Sequence, residues 1–214
     1  MIMKKMQTLQ QLHDNYLVAV VRGHSQEDAL QKSKQIIEGG ILNIEVTFTT
    51  PQAEEVIKIL STQNYENVLI GAGTVMDAIT ARIAIMNGAR YIVSPHFDEN
   101  IAEMCNLYAI PYLPGCGSVT EITQAMKSGV DVVKLFPGDL LGADFIKNVH
   151  GPIPQVEMMP SGGVSIDNMK DWYDKGAFAI GIGSALTKGA TNEDNQNVVR
   201  QTQAFVKKFE EIRR

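Results

Sequence analysis

Apolar runs recur along the chain at short intervals: LVAVV from Leu17, LNIEV from Leu42, VLIGA from Val68, YIV from Tyr91, IPYL from Ile110, DVVKLF around Val132, VEMMP from Val156 and FAIGI from Phe178. Each is followed by a stretch in which apolar residues return at helical spacing. Continuous apolar runs mark parallel strands covered on both faces, whereas half-exposed strands alternate. Eight strand-then-helix repeats therefore predict a parallel α/β fold. Repeats of this number and size close into a single (β/α)8 TIM barrel more naturally than they spread into an open doubly wound sheet, the second fold open on this pattern. A polar, helix-like segment precedes the first strand, so an extra N-terminal helix is expected.

Capping signals sharpen the boundaries. Ser25 with Asp28 starts a helix whose Ala29, Ser33, Ile36 and Ile37 share a face, and Gly39-Gly40 ends it. Thr50 is expected to cap the next helix, with Pro51 in the first helical position. Residues 195–214 read as a closing helix. No linker or low-complexity stretch divides the 214 residues, so residues 1–214 are expected to form one domain.

With 44% hydrophobic and 20% charged residues the chain can bury a substantial core. A formal charge of -5 argues against nucleic-acid binding, which rests on clustered Lys and Arg. The longest apolar runs are too short to span a bilayer, and the N-terminal segment lacks the apolar core of a secretory signal. A cytoplasmic protein with no membrane partner is expected. Cys105 and Cys116 have no metal-type spacing; both are expected to be reduced, Cys116 as a small semi-buried hydrophobe or else a reactive thiol. His13, His24, His96 and His150 lie far apart in sequence, so no metal site and no cofactor is expected; of the four, His96 is the one placed to approach a site at the strand ends.

Barrels of this kind carry chemistry at the C-terminal ends of their strands. The polar residues there are Arg22, Glu45, Thr47, the Gly71-Ala72-Gly73-Thr74 segment, Lys134 and two glycine-rich loops. Lys134 shares its strand phase with Val132 and Phe136, which turns it into the barrel. An amine must be uncharged to attack a carbonyl, and burial disfavours the ammonium form. A lysine that reaches out along the strand end, or one neutralised by a structural partner, is the alternative. Glu45, inside another apolar run, is a second charge that needs either a partner or a task. Arg22 has a planar fork that suits a substrate carboxylate. Ser161-Gly162-Gly163 and Gly183-Ser184 follow the seventh and eighth strands, where backbone amides of such barrels commonly hold phosphate.

These residues, in this order, resemble the family of 2-keto-3-deoxy-6-phosphogluconate (KDPG) and 2-keto-4-hydroxyglutarate (KHG) aldolases. The resemblance runs from Val18 to Gly189. It is carried by Ala19-Val-Val-Arg22, Ile44-Glu-Val-Thr47, Gly71-Ala-Gly-Thr-Val75, Val93-Ser-Pro95, Leu113-Pro-Gly115, Val133-Lys-Leu-Phe-Pro137, Pro160-Ser-Gly-Gly-Val164 and Gly181-Ile-Gly-Ser184. It implies a class I aldolase in which Lys134 forms the Schiff base with a 2-keto acid and Glu45 is the general acid/base. Thr74, Pro95 and Phe136 would line the pyruvyl pocket. Ser161, Gly162, Gly163, Gly183 and Ser184 would hold a distal phosphate. It also implies a homotrimer. The chain departs from the family at Thr49, where some members have arginine, which leaves Arg22 as the carboxylate clamp, and at Ser161, where many have threonine. Two other activities remain open on the sequence: cleavage of the galactonate epimer, 2-keto-3-deoxy-6-phosphogalactonate, and binding of a phosphorylated ligand without catalysis.

Overall fold

The computed structural model describes residues 3–63, 65–188 and 196–214. In chain order the first half runs α1 (Lys4–Asn15), β1 (Leu17–Val21), α2 (Gln26–Glu38), β2 (Asn43–Thr47), α3 (Ala53–Thr62), β3 (Leu69–Gly73), α4 (Ala78–Met86), β4 (Ile92–Val93) and α5 (Glu99–Leu107). The second half runs β5 (Tyr112–Leu113), β6 (Gly115–Cys116), α6 (Val119–Lys127), β7 (Val132–Leu135), α7 (Gly138–Leu141), α8 (Asp144–His150), β8 (Glu157–Pro160), α9 (Met169–Asp174), β9 (Ile180–Ile182) and α10 (Asn197–Arg213). This is an α/β fold. Every strand pair is parallel.

The strands lie in two sheets, one of order β5-β4-β3-β2-β1-β9 and one of order β6-β7-β8. The expected fifth strand is thus split in two. Pro114 interrupts it because proline has no N–H to give the ladder; its carbonyl still accepts from Lys134 N at 2.8 Å, and Gly115 N donates to Ser94 O at 2.9 Å. At the far edges, Phe178 N donates to Met158 O at 2.9 Å, and Ser161 bridges Gly181.

Alternate residues of each strand face opposite ways, and the burial follows that alternation. Val18, Leu69, Tyr91, Val93, Leu113, Val132, Met159 and Ala179 form one inner cluster with Leu9 and Leu12 of α1. Their neighbours, among them Ala19, Ile44, Ile70, Ile92, Val133 and Ile180, belong to a larger outer cluster packed under the helices. On β2 the inner residues are Asn43, Glu45 and Thr47, all fully buried. Asn43 is satisfied by α1: its Nδ2 donates to Leu12 O at 3.0 Å, and its Oδ1 accepts from Asn15 Nδ2 at 2.9 Å. The first helix therefore sits across the N-terminal ends of the strands. Its other ties include Lys5 to Asp131 at 2.7 Å and to Gly129 O at 3.1 Å, Gln11 Nε2 to Asn67 O at 3.0 Å, and His13 Nδ1 against Phe178 O at 2.7 Å.

Local chemistry explains the helix starts. Ser25 caps α2 by accepting from Asp28 N at 3.2 Å, and Gly40, at φ +102°, turns the chain after it. Thr50 and Pro51, expected to begin the next helix, instead form a turn. Thr50 Oγ1 is already engaged by Gly23 N at 3.0 Å, and α3 starts at Ala53 after Gln52 in the left-handed region at φ 55°. The closing helix begins at Asn197; Asn195, and Gly189 at the end of the family resemblance, lie outside the described residues. Among the described residues no helix is long and apolar enough to cross a membrane.

Candidate active site

Lys134 is an inner residue of β7, in register with Gly115 and Met159. Its side chain crosses the interior to within 3.7 Å of Glu45 Oε1, and its Nζ stands 5.2 Å from the centre of the Phe136 ring. Glu45 reaches this position because β3 presents glycine opposite it. A Cβ on Gly73 would stand 2.1 Å from Glu45 Oε1, so any other residue there would expel the carboxylate. Both side chains are buried, Glu45 at 0% and Lys134 at 8% exposure.

The pair does not have the form of a structural ion pair. Buried charges that only stabilise a fold must satisfy their remaining lone pairs, or desolvation outweighs attraction. Here both Glu45 oxygens lack a hydrogen-bond partner, and 3.7 Å exceeds hydrogen-bond length. Two under-satisfied opposite charges facing a cleft are what a site awaiting a polar ligand requires.

That cleft has a volume of about 370 Å³. Arg22, Glu45, Thr74, Lys134, Phe136, Ser161, Gly162, Gly163, Gly183 and Ser184 all line it, so the structure brings together residues from the ends of β1, β2, β3, β7, β8 and β9. Arg22 is exposed, and its guanidinium makes no ion pair among the described residues. Thr74 is held at φ 54°, a region that costs a β-branched residue on the order of 1–3 kcal/mol and recurs at ligand sites. Gly162 and Gly163 adopt φ +100° and +70°, and a Cβ on Gly163 would stand 2.6 Å from that of Asp139. Ser161 is buried, whereas Ser184 is exposed and opens a short 3₁₀ turn, Ser184–Leu186.

Two expected neighbours are not there. Pro95 is not among the residues that line the cleft: Ser94 Oγ bonds His96 O and Tyr112 Oη, and the Pro95 carbonyl packs on Gly115, the register partner of Lys134. His96 is not among them either. Thr49 is exposed and bonds Thr47 Oγ1 at 3.0 Å, away from the lining. Sequence reasoning overlooked Val20, Val164, Ala185 and Thr187, apolar or small polar residues whose types carry no chemical signal. Cys116 is buried, and burial pushes its thiol up to about 12, so it is the inert hydrophobe of the two readings. Among the described residues no three His, Cys, Asp or Glu side chains cluster as a metal site would require.

Known proteins resemble this chain in sequence and fold. A model of the "KDPG and KHG aldolase" family matches residues 9–201. The 2-dehydro-3-deoxy-phosphogluconate aldolase of Treponema pallidum is 36% identical over 157 residues, covering 73% of this chain and 74% of that protein. The 2-dehydro-3-deoxy-6-phosphogalactonate aldolase of Escherichia coli is 29% identical over 196 residues, covering 91% and 95%. A KDPG aldolase of Legionella pneumophila, solved with pyruvate captured as a covalent carbinolamine, superposes with a TM-score of 0.82 at 26% identity over 93% of this chain and 98% of that one. With the family model spanning most of the chain and a lysine–glutamate pair buried at the strand ends, this protein belongs to the KDPG and KHG aldolase family.

Proposed function

We propose that the protein is a class I aldolase that reversibly cleaves 2-keto-3-deoxy-6-phosphogluconate to pyruvate and glyceraldehyde 3-phosphate, and 2-keto-4-hydroxyglutarate to pyruvate and glyoxylate. The observation that carries this reading is the Lys134–Glu45 pair, buried together at 3.7 Å with the carboxylate unpartnered. Uncharged Lys134 attacks the C2 ketone, and loss of water gives an iminium. Its nitrogen accepts the electron pair of the breaking C3–C4 bond while Glu45, through a water, takes the C4 hydroxyl proton. The aldehyde leaves, and the enamine is protonated and hydrolysed to pyruvate. Arg22 clamps the carboxylate, Thr74 and Phe136 shape the pyruvyl pocket, and Ser161, Gly162, Gly163, Gly183 and Ser184 hold the phosphate. Incubation with pyruvate and borohydride is expected to fix a reduced adduct on Lys134, located by peptide mass spectrometry. A protein left unmodified at Lys134 would sink the mechanism and favour a silent ligand-binding barrel. Assay of the galactonate epimer beside the gluconate, prompted by the Escherichia coli relative, decides the stereochemical preference.

The same reading extends to the architecture. The two sheets are taken as one closed (β/α)8 barrel over a single domain, residues 1–214, with α1 as the extra helix beneath it; the Pro114 and Ser161–Gly181 connections support that closure. A homotrimer is supported by the face of α4, where Ile79, Ile83 and Met86 follow at helical spacing and are 75, 41 and 66% exposed. Exposed Leu107 on the neighbouring α5 extends the patch. Ile83→Asp is expected to convert the trimer to monomers, read by light scattering on a sizing column; an unchanged mass would remove α4 from the interface.

A further inference from the structure

Inside the barrel one hydroxyl has no assigned role. Tyr91 is fully buried on the inner face beside β4, and its Oη, like both oxygens of Glu45, has no hydrogen-bond partner. Buried phenols nearly always find one. Tyr91 and Glu45 also share a cause for their positions. β3 lies between β2 and β4, and after Leu69 its inward residues are Gly71 and Gly73. A Cβ on Gly71 would stand 2.4 Å from Tyr91 Cζ, and one on Gly73 would stand 2.1 Å from Glu45 Oε1. The phenol from one side and the carboxylate from the other thus fill adjacent vacancies over the same strand. Same-face positions two residues apart on a strand are ~7 Å apart, and neither polar end bonds a protein atom directly, so a link between phenol and carboxylate runs through a bridging water.

We propose that Tyr91 is a positioning residue for Glu45: its phenol donates through one water to the carboxylate and holds it in place until the substrate proton arrives. This rests on the reading of Glu45 as the acid/base. Burial, and secondarily the charge on Glu45, keeps the Tyr91 phenol protonated well above its ordinary range, so it is a donor at every working pH. The other ionisable groups lining the cleft with Glu45 are Lys134 on β7 and Arg22 at the end of β1; β3 contributes none. The charge at Lys134 changes through the cycle, absent as the amine attacks, positive in the iminium and absent again in the enamine, whereas the donor on Tyr91 persists throughout.

The test is Tyr91→Phe, which keeps the ring and removes only the unpartnered hydroxyl. The pH profile of kcat/KM for phosphogluconate cleavage is measured for both proteins. Loss of a donor to a carboxylate raises its proton affinity, so the acid limb is expected to move up by about one pH unit, a tenfold change in that affinity. Borohydride trapping of pyruvate on Lys134 should be retained. Superimposable profiles, with or without a change in Tm, would reduce Tyr91 to packing and overturn the proposal. Should the wild-type protein neither cleave nor trap, the aldolase reading fails separately. The proposal is then read without turnover, by difference infrared titration of the Glu45 carboxylate in each background against its Glu45→Gln counterpart; equal midpoints overturn it and a raised midpoint in Tyr91→Phe supports it.

Discussion

Replacing Glu45 with Gln is expected to slow cleavage of phosphogluconate by roughly 100- to 10,000-fold, the range over which positioned acid/base groups act, while pyruvate still forms its adduct on Lys134. The two effects separate because they belong to different steps. Gln is nearly isosteric and fits over Gly73, so the cavity is kept, but it accepts no proton at the C4 hydroxyl. Adduct formation requires only the amine of Lys134 and a ketone, and loss of the neighbouring negative charge favours the uncharged amine that attacks. Steady-state cleavage and single-turnover trapping, measured on the same preparation, give both numbers. Cleavage within a few-fold of wild type would show Glu45 to be a charge partner for Lys134 and nothing more.

Ser184→Glu is expected to act on the other end of the substrate. The residue is exposed and opens the short turn after β9, beside Gly183. A carboxylate there replaces a hydroxyl donor to the phosphate with a like charge. Hydrogen bonds to charged groups contribute about 1.5–3 kcal/mol each, which at about 1.36 kcal/mol per decade is a loss of one to two orders of magnitude in kcat/KM for phosphogluconate. Because the position is exposed, part of the repulsion should relax at high salt. Unphosphorylated 2-keto-4-hydroxyglutarate is too short to reach the loop, and its cleavage should fall far less. Equal losses on both substrates would mean that the loop shapes the whole cleft and is not a separate phosphate cradle.

Lys134 and Glu45 were legible in the sequence for one reason: a charge inside an apolar run contradicts the run, and strand phase says which way it points. The glycine loops were legible from their place after the last two strands. Legibility failed where a neighbour distant in sequence decides the outcome. Thr50 has the right residue type for a helix cap, yet its oxygen is taken by Gly23 across the top of the first two strands. Pro95 follows a strand as a pocket residue should, but its carbonyl packs on Gly115 and it is not among the residues that line the cleft. Pro114 directly follows the apolar run of residues 110–113 and separates β5 from β6, since what it lacks is a single N–H. Tyr91 was hidden differently: in the run YIV it counts as apolar, and only the room that Gly71 leaves for its ring, with its hydroxyl buried and unpartnered, brings it to notice.

The first helix has a consequence for the order in which the protein is made. Its partners are scattered along the chain: Lys5 bonds Gly129, 124 residues away, and His13 meets Phe178, 165 residues away. Leu9 and Leu12 need the inner ends of strands from both halves before they can be covered. Closing such long loops is slow, and domains with many distant contacts fold accordingly. The helix that precedes every strand is thus the last element that can settle, and during synthesis Leu9 and Leu12 stay uncovered until β9 has emerged.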